Sequence, residues 1–182
     1  MNKIIITIVS IGFFIAFALP AHAQYFVSAE YAPFSNHLSD TDAPAGGYNE
    51  TNHVTTLKIG KSYHADKTWA YNISAGITGF KNSYDKSSFG AGIGLETLYN
   101  IDQNWGIYAG GDIGLISGYE DNVDEDYQIL GDLIPFLVLN GGGQYQLDNS
   151  PIALRAGLKY VPASIVDSDD VVLGSVGLNY KF

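Results

Sequence analysis

The chain has 182 residues and no cysteine, so neither a disulfide framework nor thiol chemistry is available to it. Its formal net charge of −10 argues against nucleic acid as a partner, because phosphate groups require Lys and Arg. Twenty-one glycines, thirteen tyrosines and only 15% charged residues fit a β-barrel with aromatic girdles and a closely packed interior.

The first 23 residues predict a secretory signal peptide. Residues 1–3 are short and positive, residues 4–19 carry no charge and are mostly apolar, and residues 21–23 form an A-x-A cleavage site. Cleavage would leave residues 24–182 as one mature domain. Since no later stretch has the 18 or so consecutive apolar residues of a membrane helix, this domain would cross a membrane as a barrel or not at all.

Turn signals divide the mature chain into eight segments of strand length. The predicted strands run over residues 24–38, 48–63, 69–80, 88–100, 105–119, 131–146, 151–161 and 170–182. Short polar connections alternate with longer charged ones, as periplasmic turns alternate with extracellular loops in outer-membrane barrels. The sequence therefore predicts an all-β protein, an eight-stranded antiparallel transmembrane β-barrel in the outer membrane of a Gram-negative bacterium. A soluble periplasmic β-sandwich is the alternative fold.

Strand periodicity separates a lipid-facing side from an interior side. In the fourth segment, apolar residues alternate with Gly90, Gly92, Gly94 and Glu96, and lipid favours the apolar set, so the glycines are predicted to line the interior. Inward glycines either leave space for a ligand or mark bends and bulges, and the alternation alone does not separate the two. The last segment repeats the alternation and ends on Phe182, as the final strand of an outer-membrane barrel does.

Charged residues of both signs fall on interior positions. Arg155 and Lys159 of the seventh segment have inward parity, and so do Glu96 and Asp112 of the fourth and fifth. Because buried charges require partners, these four residues are interpreted as an ionic network with no catalytic role.

Two prolines interrupt strand-like sequence. Pro135 lies inside an apolar run, and Pro162 follows the seventh segment. Proline cannot donate a ladder hydrogen bond, so Pro135 is expected to weaken pairing with a neighbouring strand at membrane level, where a lipid tail could pass through the wall. For Pro162 a simple strand end is the alternative.

The extracellular rim carries a second kind of candidate site. His37 closes the first segment there, and Asn82 and Ser83 follow the third segment at the same end. A histidine, a hydroxyl and an amide from different loops could place a base beside a nucleophile or an acceptor. Solvated polar rim residues are the alternative interpretation.

Short motifs in order along the chain resemble one known family. They are His37 with Tyr48-Asn49-Glu50, Phe80-Lys81-Asn82-Ser83-Tyr84-Asp85-Lys86, Gly92-Ile93-Gly94-Leu95-Glu96, Asp121-Asn122, Leu133-Ile134-Pro135 and Tyr160-Val161-Pro162. In this order and spacing the chain is similar to the outer-membrane lipid A palmitoyltransferases (the PagP family) and their smaller barrel relatives.

The resemblance implies transfer of a palmitate-like acyl chain from a phospholipid donor to lipid A, the acceptor within lipopolysaccharide. His37, Ser83 and Asn82 would be the catalytic residues, with Asn82 in place of the family's Asp. Gly94 would form the floor of an acyl-chain cavity lined also by Gly92 and Gly90. Pro135 and Pro162 would flank the lateral openings. The same resemblance implies a monomer that uses no cofactor and no metal.

Two departures from the family favour alternatives. Asn82 cannot supply the charge of an Asp to a protonated His, and the first strand begins directly after the cleavage site without an amphipathic helix. The acidic runs within residues 120–126 and 167–170 are interpreted as solvated loops and not as a metal site. The alternative functions are a non-enzymatic small barrel, with a structural, adhesive or immune-evasion role, and, ranked lower, a lipid A deacylase.

Overall fold

The computed structural model of the chain describes residues 23–37, 51–82, 87–117, 133–162 and 170–182. They form eight strands, which are β1 (Gln24–His37), β2 (Thr51–His64), β3 (Trp69–Asn82), β4 (Ser87–Asn100), β5 (Trp105–Ser117), β6 (Leu133–Gln146), β7 (Ile152–Val161) and β8 (Val171–Lys181). Each strand pairs antiparallel with the next, and β8 pairs with β1 to close the barrel. The predicted fold class is confirmed, and each predicted strand boundary lies close to the observed one. Within these ranges no helix has the length and apolarity to cross a membrane.

The two faces of the barrel wall differ in exposure, because successive side chains of a strand point to opposite faces. On β4, Phe89 and Leu95 are 66% and 62% exposed, whereas Glu96 between outward neighbours is buried. On β8, Tyr180 is exposed and Asn179 is buried. A closed barrel satisfies the backbone groups within the wall, and an apolar outer face requires lipid around it. The protein is therefore a transmembrane β-barrel.

The seam between β1 and β8, where the barrel closes, contains a register shift. The register shifts by one residue between Tyr31 and Phe34 of β1, and Pro33 lies inside the shift. Proline has no backbone N–H, so a bulge is a position where it costs the ladder no hydrogen bond. The backbone N–H of Phe182 donates to the carbonyl oxygen of Tyr25 and extends this seam to the end of the chain.

Two of the three short connections at one end of the barrel have the same side-chain cap. In the β2–β3 turn, Oδ1 of Asp66 accepts hydrogen bonds from the backbone N–H groups of Thr68 and Trp69. In the β4–β5 turn, Oδ1 of Asp102 accepts the equivalent pair. Such side-chain caps fix tight turns without using a ladder hydrogen bond.

An aromatic belt follows these turns. Trp69 packs edge-on against Tyr99 of the next hairpin with ring centroids 4.8 Å apart, and Trp105 packs against Tyr145 of the hairpin after that, also at 4.8 Å. Aromatic girdles of this kind lie at the interface between the bilayer and water. Short turns face the periplasm in such barrels, so this belt marks the periplasmic edge of the membrane.

Candidate functional site

The centre of the barrel holds the ionic network that the sequence predicts. The guanidinium of Arg155 on β7 pairs with Glu30 of β1 at 2.9 Å and with Glu96 of β4 at 2.5 Å. It also lies 3.6 Å from the ring centroid of Tyr108, which adds a cation–π contact. Arg155 of β7 therefore contacts side chains of β1, β4 and β5 across the lumen.

Two further cations complete the network. Nζ of Lys159 lies 2.6 Å from Glu30, and Nζ of Lys58 on β2 donates to Asp112 on β5 at 2.7 Å. Amides supply the remaining contacts, because Asn72 donates to Glu96 and Asn140 donates to Asp112. Each buried carboxylate thus has two partners, and the network contains three acidic and three basic side chains.

Apolar layers enclose this network on both sides. Toward the outer end, nine side chains form one buried cluster in which Phe80 and Phe136 meet edge-on with ring centroids 5.4 Å apart. Its members are Ala32, Val54, Phe80, Ile116, Phe136, Val138, Val161, Val171 and Leu173. Toward the periplasm, Ala70, Leu98 and Tyr108 form a smaller cluster. The outer cluster consequently separates the charges from water at the extracellular end, and the smaller cluster packs against them on the periplasmic side.

The space left between these layers is very small. Two interior gaps, bordered among others by Lys58, Ser74, Gly94 and Asp112, measure about 10 Å³ each. A gap of that size holds a single water molecule at most. The interior formed by the described residues therefore offers neither a continuous water path nor room for an acyl chain.

The inward glycines follow from this packing. A Cβ atom at Gly94 would collide with the carboxylate of Asp112 and the hydroxyl of Ser74, and one at Gly92 would collide with the carbonyl oxygen of Ile113. Their inward direction is confirmed, and close approach of strands accounts for them without a cavity. A role of Gly90, Gly92 and Gly94 in substrate binding stays a prediction that this geometry does not favour.

The predicted catalytic residues lie at the outer end of the barrel. His37 ends β1, where its backbone pairs with Val171, and Asn82 ends β3, where its backbone pairs with Thr51. One strand separates them, which corresponds to about 10 Å across the sheet. The side chains of His37 and Asn82, and all of Ser83, fall outside the described residues, so their assignment as a site stays a prediction.

The two prolines lie beside the ladder between β6 and β7, which is the shortest ladder of the barrel. Pro135 pairs with Leu115 of β5 and is exposed on the outer face, so pairing continues on that side. Toward β7, the described ladder joins Leu139–Gln146 to Ala153–Tyr160 and does not reach Pro135. Pro162 follows β7 directly. The position that this register would place opposite Pro135, residue 164, lies outside the described residues, so weakened pairing at Pro135 and its use as a lipid entrance both stay predictions.

Sequence reasoning missed two of the six charged residues of the ionic network. Glu30 and Lys58 lie on inward positions of β1 and β2, next to Ser28 and Thr56, which are buried on the same faces. Their parity was available from the sequence, and it is the signal that could have found them. The contact of Arg155 with the ring of Tyr108 was not expected either.

Charge is divided unevenly between the barrel and its long connections. The described ranges contain seven acidic and seven basic residues, and are formally neutral. The four long connecting segments, residues 38–50, 83–86, 118–132 and 163–169, carry twelve acidic residues and one basic residue, Lys86. These segments join strands at the end opposite the short turns, so the excess negative charge belongs to the extracellular side. Within the described residues, no group of His, Asp and Glu is arranged to hold a metal ion.

Comparisons with solved structures identify the same architecture elsewhere. Outer membrane protein H (OprH) from P. aeruginosa is 16% identical, with a TM-score of 0.51 over 88% of this chain and 100% of that one. The Yersinia pestis outer membrane protein Ail, in a phospholipid bilayer nanodisc, is 15% identical, with a TM-score of 0.50 over 88% of this chain and 99% of that one. No protein-family model matches the sequence, and no curated protein matches it.

These findings correct the resemblance drawn from short motifs. The similar solved structures are small outer-membrane barrels of the Ail and OprH kind, and the likeness to the lipid A palmitoyltransferases is wrong. The motifs misled because each is short and because inward glycines and polar rim residues are requirements of any small barrel. The chain is similar to these proteins in fold, and is an eight-stranded barrel of the outer membrane.

Proposed function

We propose that this protein is a non-enzymatic surface protein of the outer membrane. Its barrel acts as a closed, rigid support, and its acidic extracellular segments make contact with a positively charged partner outside the cell. A non-enzymatic barrel is the alternative to acyl transfer that the sequence leaves open. The fold shared with Ail and OprH supports this alternative better than it supports an enzyme.

The observation that carries the proposal is the filled interior. Acyl transfer of the kind inferred from the motifs needs an internal cavity that measures a hydrocarbon chain, and the gaps beside Gly94 are about 10 Å³. Transport of solutes needs a water path, and the apolar cluster around Phe80 and Phe136 lies across the outer part of the lumen. A barrel without either feature supports function at its surface.

The division of charge supports the same conclusion. A neutral barrel that carries twelve acidic residues in its long connections, against Lys86 alone, concentrates its field on one side of the membrane. Such a field attracts cations and cationic surfaces and repels polyanions. One structural relative, Ail of Yersinia pestis, bears the name attachment invasion locus protein, which agrees with a role in attachment.

One experiment separates the proposal from acyl transfer. Lipid A is analysed by mass spectrometry from Gram-negative cells that lack their own palmitoyltransferase, with and without this protein folded in the outer membrane. We expect identical spectra. A new lipid A species heavier by one long acyl chain, lost again in His37→Ala, would overturn the proposal and establish His37 as catalytic.

A second experiment tests the surface contact directly. The barrel is placed in nanodiscs of zwitterionic phospholipid, so that the net charge comes from the protein, and its binding to a polylysine-coated sensor is measured. We expect binding that weakens with added salt, since exposed charges are screened. Removing five charges with Glu120→Gln, Asp121→Asn, Asp124→Asn, Glu125→Gln and Asp126→Asn should weaken it more than Asp167→Asn with Asp169→Asn. Equal binding by all three proteins would contradict the proposal.

A further inference from the structure

The lipid-facing wall of the barrel is not uniform, because a groove runs along β4 and β5. Its upper part has a volume of about 570 Å³ and is walled by Ile93, Leu95, Ile113 and Leu137. Most of its lining is apolar, and all four wall residues are exposed hydrophobic side chains. A depression between protruding side chains is therefore built into the membrane-facing surface.

A second depression continues the first toward the periplasm. It has a volume of about 400 Å³ and is bordered by Trp69, Tyr99 and Ile107. Thr97 and Ala109 line both depressions, so the two form one continuous groove. The groove begins at the aromatic belt and ends near the middle of β4.

Small residues on the outer face form the floor. Thr97 pairs across the strands with Ala109, and Ala109 pairs in turn with Gly141. One step further up, Leu95 pairs with Gly111. Because outward positions alternate along each strand, these small side chains lie side by side where most of the wall carries Leu, Ile or Val. The groove is thus fixed by strand register and needs no rearrangement to form.

The length of the groove matches one half of the bilayer. From Tyr99 to Ile93 is six residues, which is about 20 Å along a strand and about 14 Å of membrane depth at a tilt of about 45°. Half of a hydrocarbon core of about 30 Å is about 15 Å. The groove therefore reaches from the periplasmic interface to the midplane and crosses one leaflet.

We propose that this groove binds one acyl chain of a phospholipid from the periplasmic leaflet. The groove is continuous with the face that the bilayer already covers, so a lipid chain is the occupant that the fold brings to it. Lipid A is excluded by position, since it belongs to the opposite leaflet. Lys67 lies in the turn just before Trp69 and is the one basic residue in the three short turns, where a lipid phosphate would sit.

A second copy of the chain fits the groove less well. In a symmetric dimer the same patch faces itself, and two concave surfaces leave a void between them. A flexible hydrocarbon chain fills such a shape and exchanges no hydrogen bonds on binding. This inference is independent of the proposed surface function and describes a lipid site on the barrel wall.

The test uses the two tryptophans as position-specific reporters. Trp105→Phe leaves Trp69, which borders the groove, as the only tryptophan. Trp69→Phe leaves Trp105, which lies on the outer face of β5 beside Ile107 but does not itself line the groove, as the comparison. The purified barrel in detergent is titrated with a phospholipid brominated on its chains, which quenches nearby tryptophan. We expect quenching of Trp69 to saturate at about one lipid per barrel, and quenching of Trp105 to show no such saturation.

Filling the groove provides the decisive variant. Ala109→Leu, in the Trp105→Phe background, places a large side chain on the groove floor and should abolish the saturable quenching. The matched control, Ala156→Leu, makes the same change at an exposed outward position of β7 away from the groove and should preserve it. Heat-modifiable migration in gels confirms that each variant is folded.

Native mass spectrometry then identifies the occupant. We expect a single phospholipid adduct on the wild-type barrel and on Ala156→Leu, and none on Ala109→Leu. Saturable quenching that survives in Ala109→Leu would overturn the proposal. An adduct of lipid A in preference to phospholipid, or a dimer lost in Ala109→Leu, would also overturn it.

Discussion

Two charged regions of this molecule differ in whether their positive and negative charges are balanced. Inside the barrel, three carboxylates and three cations are matched at distances of 2.5 to 2.9 Å. In the long connecting segments, twelve acidic residues stand against Lys86 alone. The same residue types therefore serve two purposes within one small protein.

The difference reflects the solvent around each region. A charge buried without a partner costs several kcal/mol, so an interior between apolar layers tolerates only a balanced set. In water, an excess of one sign is screened within about 10 Å and costs little. Interior charges accordingly occur as matched pairs that link strands, whereas the long connecting segments can carry charge of one sign.

The substitution with the largest expected effect on stability removes the central cation, Arg155. Arg155→Met retains the apolar stem but leaves Glu96 unpaired with any cation and Glu30 with Lys159 alone. We expect the free energy of unfolding to fall by about 3–5 kcal/mol, the usual cost of breaking a buried ion pair. Urea unfolding of the barrel in phospholipid vesicles measures this loss. Lys67→Met removes the same charge from an exposed turn and should change stability by less than about 0.5 kcal/mol. Equal effects of the two variants would mean that the network is hydrated.

Removing the cation of the Lys58–Asp112 ion pair should lower stability by a smaller amount, and a second substitution at Asp112 should reverse the loss. Lys58→Met leaves Asp112 with Asn140 as its remaining partner. We expect a loss of about 1–3 kcal/mol, because an unpaired buried charge remains. Adding Asp112→Asn removes that charge and should restore most of the stability. A double variant less stable than Lys58→Met would show that Asp112 is held by groups other than Lys58.

The strand framework could be predicted from the sequence because it depends on local signals. Alternation of apolar and small residues fixed the direction of β4, β5 and β8, and polar turns fixed the strand boundaries. Pairing across the lumen could not be predicted in the same way. Lys58 and Asp112 are 54 residues apart, and the stagger between strands determines whether they meet. The sequence thus contained the inward parity of Glu30 and Lys58 but not their partners.

The site was harder to predict because glycine has two meanings in a strand. An inward glycine such as Gly94 is equally consistent with a cavity and with a neighbour that fills the space, and here Asp112 and Ser74 fill it. Cavity size depends on distances between strands that no single segment encodes. The motif resemblance did not correct for this, because the features it matched are shared by small barrels in general.

The carboxylate of Asp102, in the β4–β5 turn, differs from both charged regions. Its partners are backbone N–H groups. Hydrogen bonds from the backbone N–H groups of Trp105 and Asn104 lower the pKa of the Asp102 carboxyl below its ordinary value. A lowered pKa means that ionised Asp102 stabilises the folded state above the unfolded pKa, and that this contribution is lost as pH falls through the folded pKa. We expect Asp102→Ala to be less stable than wild type near pH 7, by less than Lys58→Met, and this difference to shrink below about pH 3. Urea midpoints at the two pH values measure it, and a difference that grows in acid would contradict the assignment.

The smallest effect on stability should come from the most highly charged part of the chain. Neutralising the five acidic residues within positions 120–126 removes nearly half of the negative charge of the long segments. Because none of these five residues is a member of the matched interior network, we expect the unfolding free energy to change by less than about 0.5 kcal/mol. Binding to the polylysine surface should weaken in the same protein, since the field that attracts cations is reduced. A loss of several kcal/mol on neutralisation would instead mean that these carboxylates have partners on the barrel, and the distinction between matched and available charge would fail.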